Sequence, residues 1–175
     1  LLIGQLTAVV IEARESLQPA RLKFGRGCAR GIAANRRQLL ADGRFHQPAA
    51  GPPPAPVVRP GLLDEEVGAL LVEFDDGSYS VLANFACHPV SVQVQPLVSA
   101  DYPGVACGLV EKAAPGCRHC LFTQGADGDV NPLRGGQHKG FGDVARYGQI
   151  LGGELLKVVA RLRAPGVEPM RPVAA

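Results

Sequence analysis

The fold is decided by one stretch, Val67-Gly-Ala-Leu-Leu-Val-Glu-Phe74, Asp75-Asp-Gly-Ser78, Tyr79-Ser-Val-Leu-Ala-Asn-Phe85, followed by Ala86-Cys87-His88-Pro89. Val67–Phe74 and Tyr79–Phe85 are two β-rich runs. Between them, Asp75-Asp76-Gly77-Ser78 is a hairpin turn signal, because glycine admits the backbone conformation that tight turns require. The second run, from Ser80 to Cys87, is nearly all apolar, which predicts a central strand covered on both faces. Its end delivers His88-Pro89 in a fixed direction.

Outward from this hairpin, helical and extended signals alternate. Residues 1–17 place Leu2, Leu6, Val9, Val10, Ala13 and Leu17 at helical spacing, which predicts a helix with one buried face, ended by Pro19. Ala20–Phe24 reads as a short strand with Leu22 and Phe24 inward and Arg21 and Lys23 outward. Residues 47–60 hold too many prolines for regular structure and predict a surface excursion within one domain. Pro103 opens a helix that Val105–Ala114 continues. Cys120–Thr123 reads as a short buried strand running into a turn-rich loop, Gln124–Pro132. A last helix spans about Phe141–Arg163 with an apolar stripe of Ile150, Leu151, Leu155, Val158 and Leu162. The interspersed elements predict an α/β class, with α+β as its near variant: a mixed β-sheet flanked by helices.

Bulk properties narrow the function. The chain has 175 residues, one domain's worth, and 46% hydrophobic content against 19% charged suits a packed core. A net charge of +2, no basic stripe and no tryptophan leave no nucleic-acid footprint. No apolar run is long enough to cross a bilayer. The start, Leu1-Leu-Ile-Gly-Gln5, has neither Met nor a basic leader, and reads as a chain that starts mid-protein. The five cysteines, Cys28, Cys87, Cys107, Cys117 and Cys120, are an odd number and make no disulfide framework. Cys117-Arg-His-Cys120 has zinc-knuckle spacing but no second pair, so buried or incidental thiols are expected. His46, His119 and His138 lie in loop-like contexts.

Three strand ends and one basic segment carry candidate chemistry. His88, behind a buried strand, is either a zinc ligand or a hydrogen-bonded core histidine. Asp101, in Ser99-Ala-Asp101-Tyr-Pro, either caps the following helix or holds the second ring nitrogen of a ligating histidine. The loop Gly125-Ala-Asp127-Gly128-Asp129-Val-Asn131-Pro132 can turn backbone N–H groups toward an oxyanion. Its Asp127, Asp129 and Asn131 also match the first half of a calcium loop, although Pro132 and the missing distal glutamate argue against an EF-hand. In Asn35-Arg36-Arg37 a guanidinium could hold a carbonyl or carboxylate oxygen, or form a solvated basic turn.

Taken in order, Asn35-Arg36, His88-Pro89, Ser99-Ala-Asp101 and Gly128-Asp-Val-Asn-Pro132 resemble the N-terminal catalytic domain of the neutral/alkaline non-lysosomal ceramidases, from the first helix to about Pro132. The resemblance implies a zinc hydrolase of an N-acyl linkage, acting on ceramide or a related lipid or small-molecule amide. It also implies one catalytic Zn2+ in the intact protein, with His88 as a ligand and Asp101 behind it. A family histidine in a Thr-His-Thr-His-Ser-Gly-Pro segment would fall upstream of Leu1, and a Glu and a Tyr ligand well downstream. Arg36, Asp129 and Asn131 map onto catalytic positions; Arg36, Gly128 and Asn131 map onto substrate-binding ones. Secreted or periplasmic residence follows from the same likeness. One position departs from it: the family's loop has a catalytic serine where this chain has Asn131. Asn can donate a hydrogen bond to an oxyanion but cannot be a nucleophile. Two other readings stay open: a related hydrolase of another amide or ester, and a non-catalytic domain that keeps the fold.

Overall fold

The computed structural model describes residues 1–93, 95–133 and 140–171, so His138 lies outside the described residues. The elements in chain order are α1 (Leu2–Glu15), β1 (Arg21–Cys28), β2 (Ala33–Asn35), β3 (Gln38–Leu40), β4 (Phe45–His46), β5 (Val57–Arg59), β6 (Glu66–Glu73), β7 (Tyr79–Phe85), α2 (Asp101–Ala113), β8 (Cys117–Gln124), β9 (Val130–Pro132) and α3 (Phe141–Leu162). The main sheet has the order β1-β6-β7-β8. Its first two pairings are antiparallel and the β7–β8 pairing is parallel, so the sheet is mixed, as expected. Two small sheets, β2-β9 and β4-β3-β5, flank it.

The β6–β7 hairpin forms as its sequence predicts, with Gly77 in the left-handed region at φ 81°. Alternation then sorts its side chains by face. Val67, Ala69 and Leu71 of β6 and Tyr79, Val81, Ala83 and Phe85 of β7 are buried in one core with Tyr102, Ala106 and Val110 of α2 and Tyr147, Leu151, Leu155 and Val158 of α3. Both helices therefore cover the same face of the sheet. On α3 the expected stripe is the buried one, with Ile150 at its partly buried margin. Gly148 and Gly152, one turn apart on that helix, let α2 approach closely. A Cβ on Gly148 would stand 2.4 Å from the Val105 Cβ, and one on Gly152 2.9 Å from a Leu109 methyl.

Four expectations are corrected. In β1 the facing is the reverse of the one predicted: Leu22 and Phe24 are 40% and 45% exposed, while Lys23 is buried and paired with Glu73 at 3.4 Å. The reason is Gly25 and Gly27, which share the inward face with Lys23. A Cβ on Gly25 would stand 2.9 Å from a Val158 methyl, so α3 rests directly on this backbone. Hydrophobicity could not show this, since the glycines carry no apolar side chain. Secondly, β7 is central but covered on one face only, with Ser80 and Leu82 half-buried and Asn84 exposed on the other. On that open face Phe24, Leu70, Leu82 and Leu121 align across all four strands. Thirdly, α1 is a helix but buries no residue among those described, so its apolar periodicity marks a face without a partner here. Fourthly, the proline-rich excursion is not wholly irregular: Pro48–Ala50 makes one 3-10 turn, and Val57–Arg59 pairs with β3. The Cys117–Cys120 segment lies in β8, which starts earlier than expected, and all five cysteines are free. No helix among the described residues is long and apolar enough to cross a membrane.

Candidate functional site

Parallel strands β7 and β8 end side by side, and the segments leaving them meet. His88 leaves β7 and donates its backbone N–H to the Val130 carbonyl at 3.0 Å. The preceding Cys87 carbonyl accepts from Gln124 Nε2 at 3.1 Å and from the Tyr102 hydroxyl. Burial pushes the Tyr102 hydroxyl far above its ordinary range, which keeps it a donor to this carbonyl. Burial also pushes the Cys87 thiol up to about 12, so this cysteine is no thiolate nucleophile at neutral pH. The histidine backbone is thus clamped from three elements.

The imidazole is held as firmly. Nδ1 lies 3.1 Å from the Val130 carbonyl oxygen and 3.4 Å from Asp127 Oδ2. Both neighbours are acceptors, which assigns the proton of the neutral ring to Nδ1 and leaves the lone pair on Nε2. A histidine ligand shows this arrangement: one ring nitrogen donates to a carbonyl or carboxylate and the other is free to bind. The side chain is about one-third exposed. The sequence reading offered Asp101 for this place. Instead, Asp101 starts α2 at a φ of 51°, and its carboxylate accepts the N–H groups of Tyr102 at 2.7 Å and Val92 at 3.2 Å. It fastens the helix start to the segment after His88, while Asp127 and Val130 face the ring.

The loop after β8 also fixes the other half of the site. Arg36 donates its backbone N–H to the Asp129 carbonyl at 2.8 Å and a guanidinium N–H to the Gly128 carbonyl at 2.7 Å. Asn35, buried at 4% exposure, is the hub. Its amide nitrogen donates to Asp129 Oδ2 at 2.9 Å and to the Leu62 carbonyl at 2.8 Å, and its amide oxygen accepts the Arg37 N–H at 2.8 Å. Gly61 makes the second of these bonds possible. Its φ is 85°, and a Cβ there would stand 2.4 Å from Asn35 Cγ. The short β2–β9 pairing sets Asn131 opposite Ala34 and Val130 opposite Asn35.

Arg36, Arg37, Gly128 and Asp129 line an open cleft of about 490 Å3. A second cavity of about 540 Å3 adjoins it through Arg37 and Asp129. Of the residues singled out by sequence, Arg36, Gly128 and Asp129 therefore share one cleft. Asn131 follows Val130 on β9 and is half-buried. His88 lies across the same loop, held by Asp127 and Val130. From sequence, Asn35 carries only its place in the Asn-Arg motif, Tyr102 carries no role, and Asp127 is only a calcium-loop position; no sequence signal separates the partners of Asp127 and Asp129. Among the described residues no three His, Cys, Asp or Glu side chains gather as a metal site.

No family model matches the chain, and no curated protein does. Solved structures do. The fold is similar to that of neutral ceramidase from Pseudomonas aeruginosa, with a TM-score of 0.64 and 21% identity over 88% of this chain and 25% of that one. A structure of ceramidase complexed with C2 gives a TM-score of 0.65 and 21% identity over 87% of this chain and 24% of that one. The ceramidase-like fold is thereby shown, over about a quarter of the length of those proteins.

Proposed function

We propose that this chain forms part of a zinc-dependent hydrolase of an N-acyl linkage, with a lipid amide or a related small amide as substrate. The observation that carries the reading is His88: its Nδ1 is occupied by Val130 and Asp127, its Nε2 has no partner among the described residues, and the loop that holds it also holds Arg36. The likeness to ceramidases in fold supports it. As a donor His88 suits a zinc ion, but one ligand is not a site, and catalytic zinc takes three from the protein. The remaining ligands would come from beyond the described residues. When bound, zinc supplies Lewis-acid activation of water or of a carbonyl.

The chain's own residues have separate tasks in this reading. Val130 and Asp127 fix the tautomer and direction of His88. Gly128 orients the Arg36 guanidinium, whose other N–H groups can donate to a carbonyl oxygen in the cleft. Asp129, held by Asn35, fixes the cleft floor. Asn131 offers an amide donor where the ceramidase-type loop has serine, and so would assist an oxyanion rather than attack.

Assay of the intact protein on a fluorogenic N-acyl amide tests this. His88→Ala should abolish turnover, with bound zinc falling in parallel. Asn131→Ala should keep the zinc and lower kcat by about a hundred- to a thousandfold. Full turnover and undiminished zinc in His88→Ala would refute the role of His88. Unchanged kcat in Asn131→Ala would remove the loop amide from the mechanism.

A further inference from the structure

The second cavity has a chemistry of its own. It is lined by Asn35, Arg37, Phe45, Arg59, Gly61, Leu62 and Asp129. Most arginines of the chain are already engaged. Arg21, Arg26, Arg30, Arg44, Arg118 and Arg146 pair with carboxylates, and Arg36 and Arg163 donate to backbone carbonyls. Arg37 and Arg59 have no carboxylate partner among the described residues, yet both line this one cavity. Its single acid, Asp129, already accepts a hydrogen bond from Asn35.

The topology explains the convergence. In the β4-β3-β5 sheet Leu39 stands opposite both Phe45 and Arg59, so these three share a row and a face. Arg37 immediately precedes β3, two residues before Leu39. Chain 61–62 then returns over Asn35, where Gly61 permits the contact, and sets Leu62 on the rim. Phe45 and Leu62 are 62% and 91% exposed, an apolar edge beside two free guanidinium groups. Guanidinium forks match the planar oxygens of a carboxylate or the tetrahedral oxygens of a phosphate, and the apolar edge suits an alkyl segment.

We propose that this cavity binds the anionic group of an amphiphilic substrate, so that the amide cleaved in the adjoining cleft belongs to an N-acyl amino acid rather than to a neutral lipid amide. The inference rests on the hydrolase reading for the word substrate; the binding site itself does not. The two cavities share Arg37 and Asp129, and an N-acyl amino acid carries its carboxylate one carbon from the amide nitrogen. A molecule with its amide beside Arg36 thus places its charge toward Arg37 and Arg59, with the apolar side chain of its amino acid against Phe45 and Leu62.

Calorimetric titration of the chain tests it with N-dodecanoylleucine, the neutral N-dodecanoylethanolamine and dodecyl phosphate, each below its micellar concentration. The expected result is that N-dodecanoylleucine binds about tenfold or more tightly than the neutral amide, as ionic hydrogen bonds to guanidinium groups imply. In Arg37→Gln/Arg59→Gln that advantage should vanish, while far-UV circular dichroism shows an unchanged melting curve. Arg59→Lys should retain part of it, and salt should weaken it. Equal affinity for the acid and the neutral amide, or an acid preference that survives the double substitution, overturns the proposal. Tighter binding of dodecyl phosphate than of N-dodecanoylleucine overturns the amino-acid class. Hydrolysis of N-acyl compounds by the intact protein is read separately. Anion-selective binding with no hydrolysis sinks the hydrolase reading and leaves the site standing; hydrolysis without anion selectivity does the reverse.

Discussion

Asn35→Asp isolates the hub of the site with almost no change of shape. The substitution keeps the oxygen that accepts the Arg37 N–H and replaces the amide nitrogen with a second oxygen. That atom would face the Leu62 carbonyl at 2.8 Å and Asp129 Oδ2 at 2.9 Å. One neutral and one ionic hydrogen bond are lost, costing roughly 1 and 2 kcal/mol, and both partners lose a donor in a buried place. Two carboxylates at that distance repel by up to about 6 kcal/mol at an effective dielectric constant near 20, and relaxation and water reduce this. A net loss of about 3 to 6 kcal/mol at neutral pH follows, a large part of the stability of a domain this size. The loss must depend on pH. The introduced carboxyl has a folded pKa above its unfolded value, because ionisation sets it against Asp129. Its stabilising, protonated form is present below the unfolded value and is lost as pH rises through the folded one. At about pH 5 protonation returns a single donor, and the penalty should fall by about 1 to 3 kcal/mol relative to about pH 7.5. Asn35→Ala, which adds no charge, should lose about 2 to 3 kcal/mol with little pH dependence. Urea unfolding followed by far-UV circular dichroism gives the numbers, since the chain has no tryptophan to report by fluorescence. An Asn35→Asp penalty that is the same at both pH values, or smaller than that of Asn35→Ala at neutral pH, would refute the placement of the amide nitrogen between those two oxygens.

Three further outcomes are expected. Gly25→Ala should lower stability by about 1 to 2 kcal/mol through overpacking against Val158 and Leu162, whereas Gly68→Ala, whose Cβ would meet nothing nearer than 3.5 Å, should be neutral or mildly stabilising; a thermal melt in which Gly25→Ala matches the parent removes α3 from the β1 backbone. The buried Cys87 thiol, raised from 9.0 to about 12, contributes stability that is complete below its ordinary value and is lost as pH climbs through that window, so the protein should weaken on alkaline titration and Cys87→Ser should flatten part of that slope. Native-state alkylation near pH 8 should label the exposed Cys28 and spare Cys87; prompt labelling of Cys87 would contradict its burial.

The legible parts of the chain were those with a strong local signal. Two β-rich runs about a turn signal gave β6 and β7, and a period near 3.6 gave α3 and its buried stripe, because a single face of that helix meets the core. Where burial is achieved by absence, periodicity inverts. Gly25 and Gly27 admit α3 by lacking side chains, so Leu22 and Phe24 announced the wrong face of β1. In α1 the apolar spacing was read correctly as a helix, but spacing names a face and not what covers it. The three-residue strands β2 and β9 escaped because their pairing spans more than half of the chain and neither has a pattern of its own.

At the site, residue types were legible and partners were not. Asp127, Asp129 and Asn131 look alike to a motif reader, as one run of polar residues at alternate positions. In the fold they diverge: Asp127 faces His88, Asp129 faces Asn35, and Asn131 sits on a strand opposite Ala34. What joins them is the turn itself, closed by the Val130 N–H on the Asp127 carbonyl at 2.8 Å. That turn gives its Val130 carbonyl to His88 and its Gly128 and Asp129 carbonyls to Arg36. The imidazole and the guanidinium are thus positioned by neighbouring peptide groups of one loop. A substitution that shifts this loop must move both groups together, so losses at His88 and at Arg36 should not add independently when Asp127 or Asn35 is altered as well.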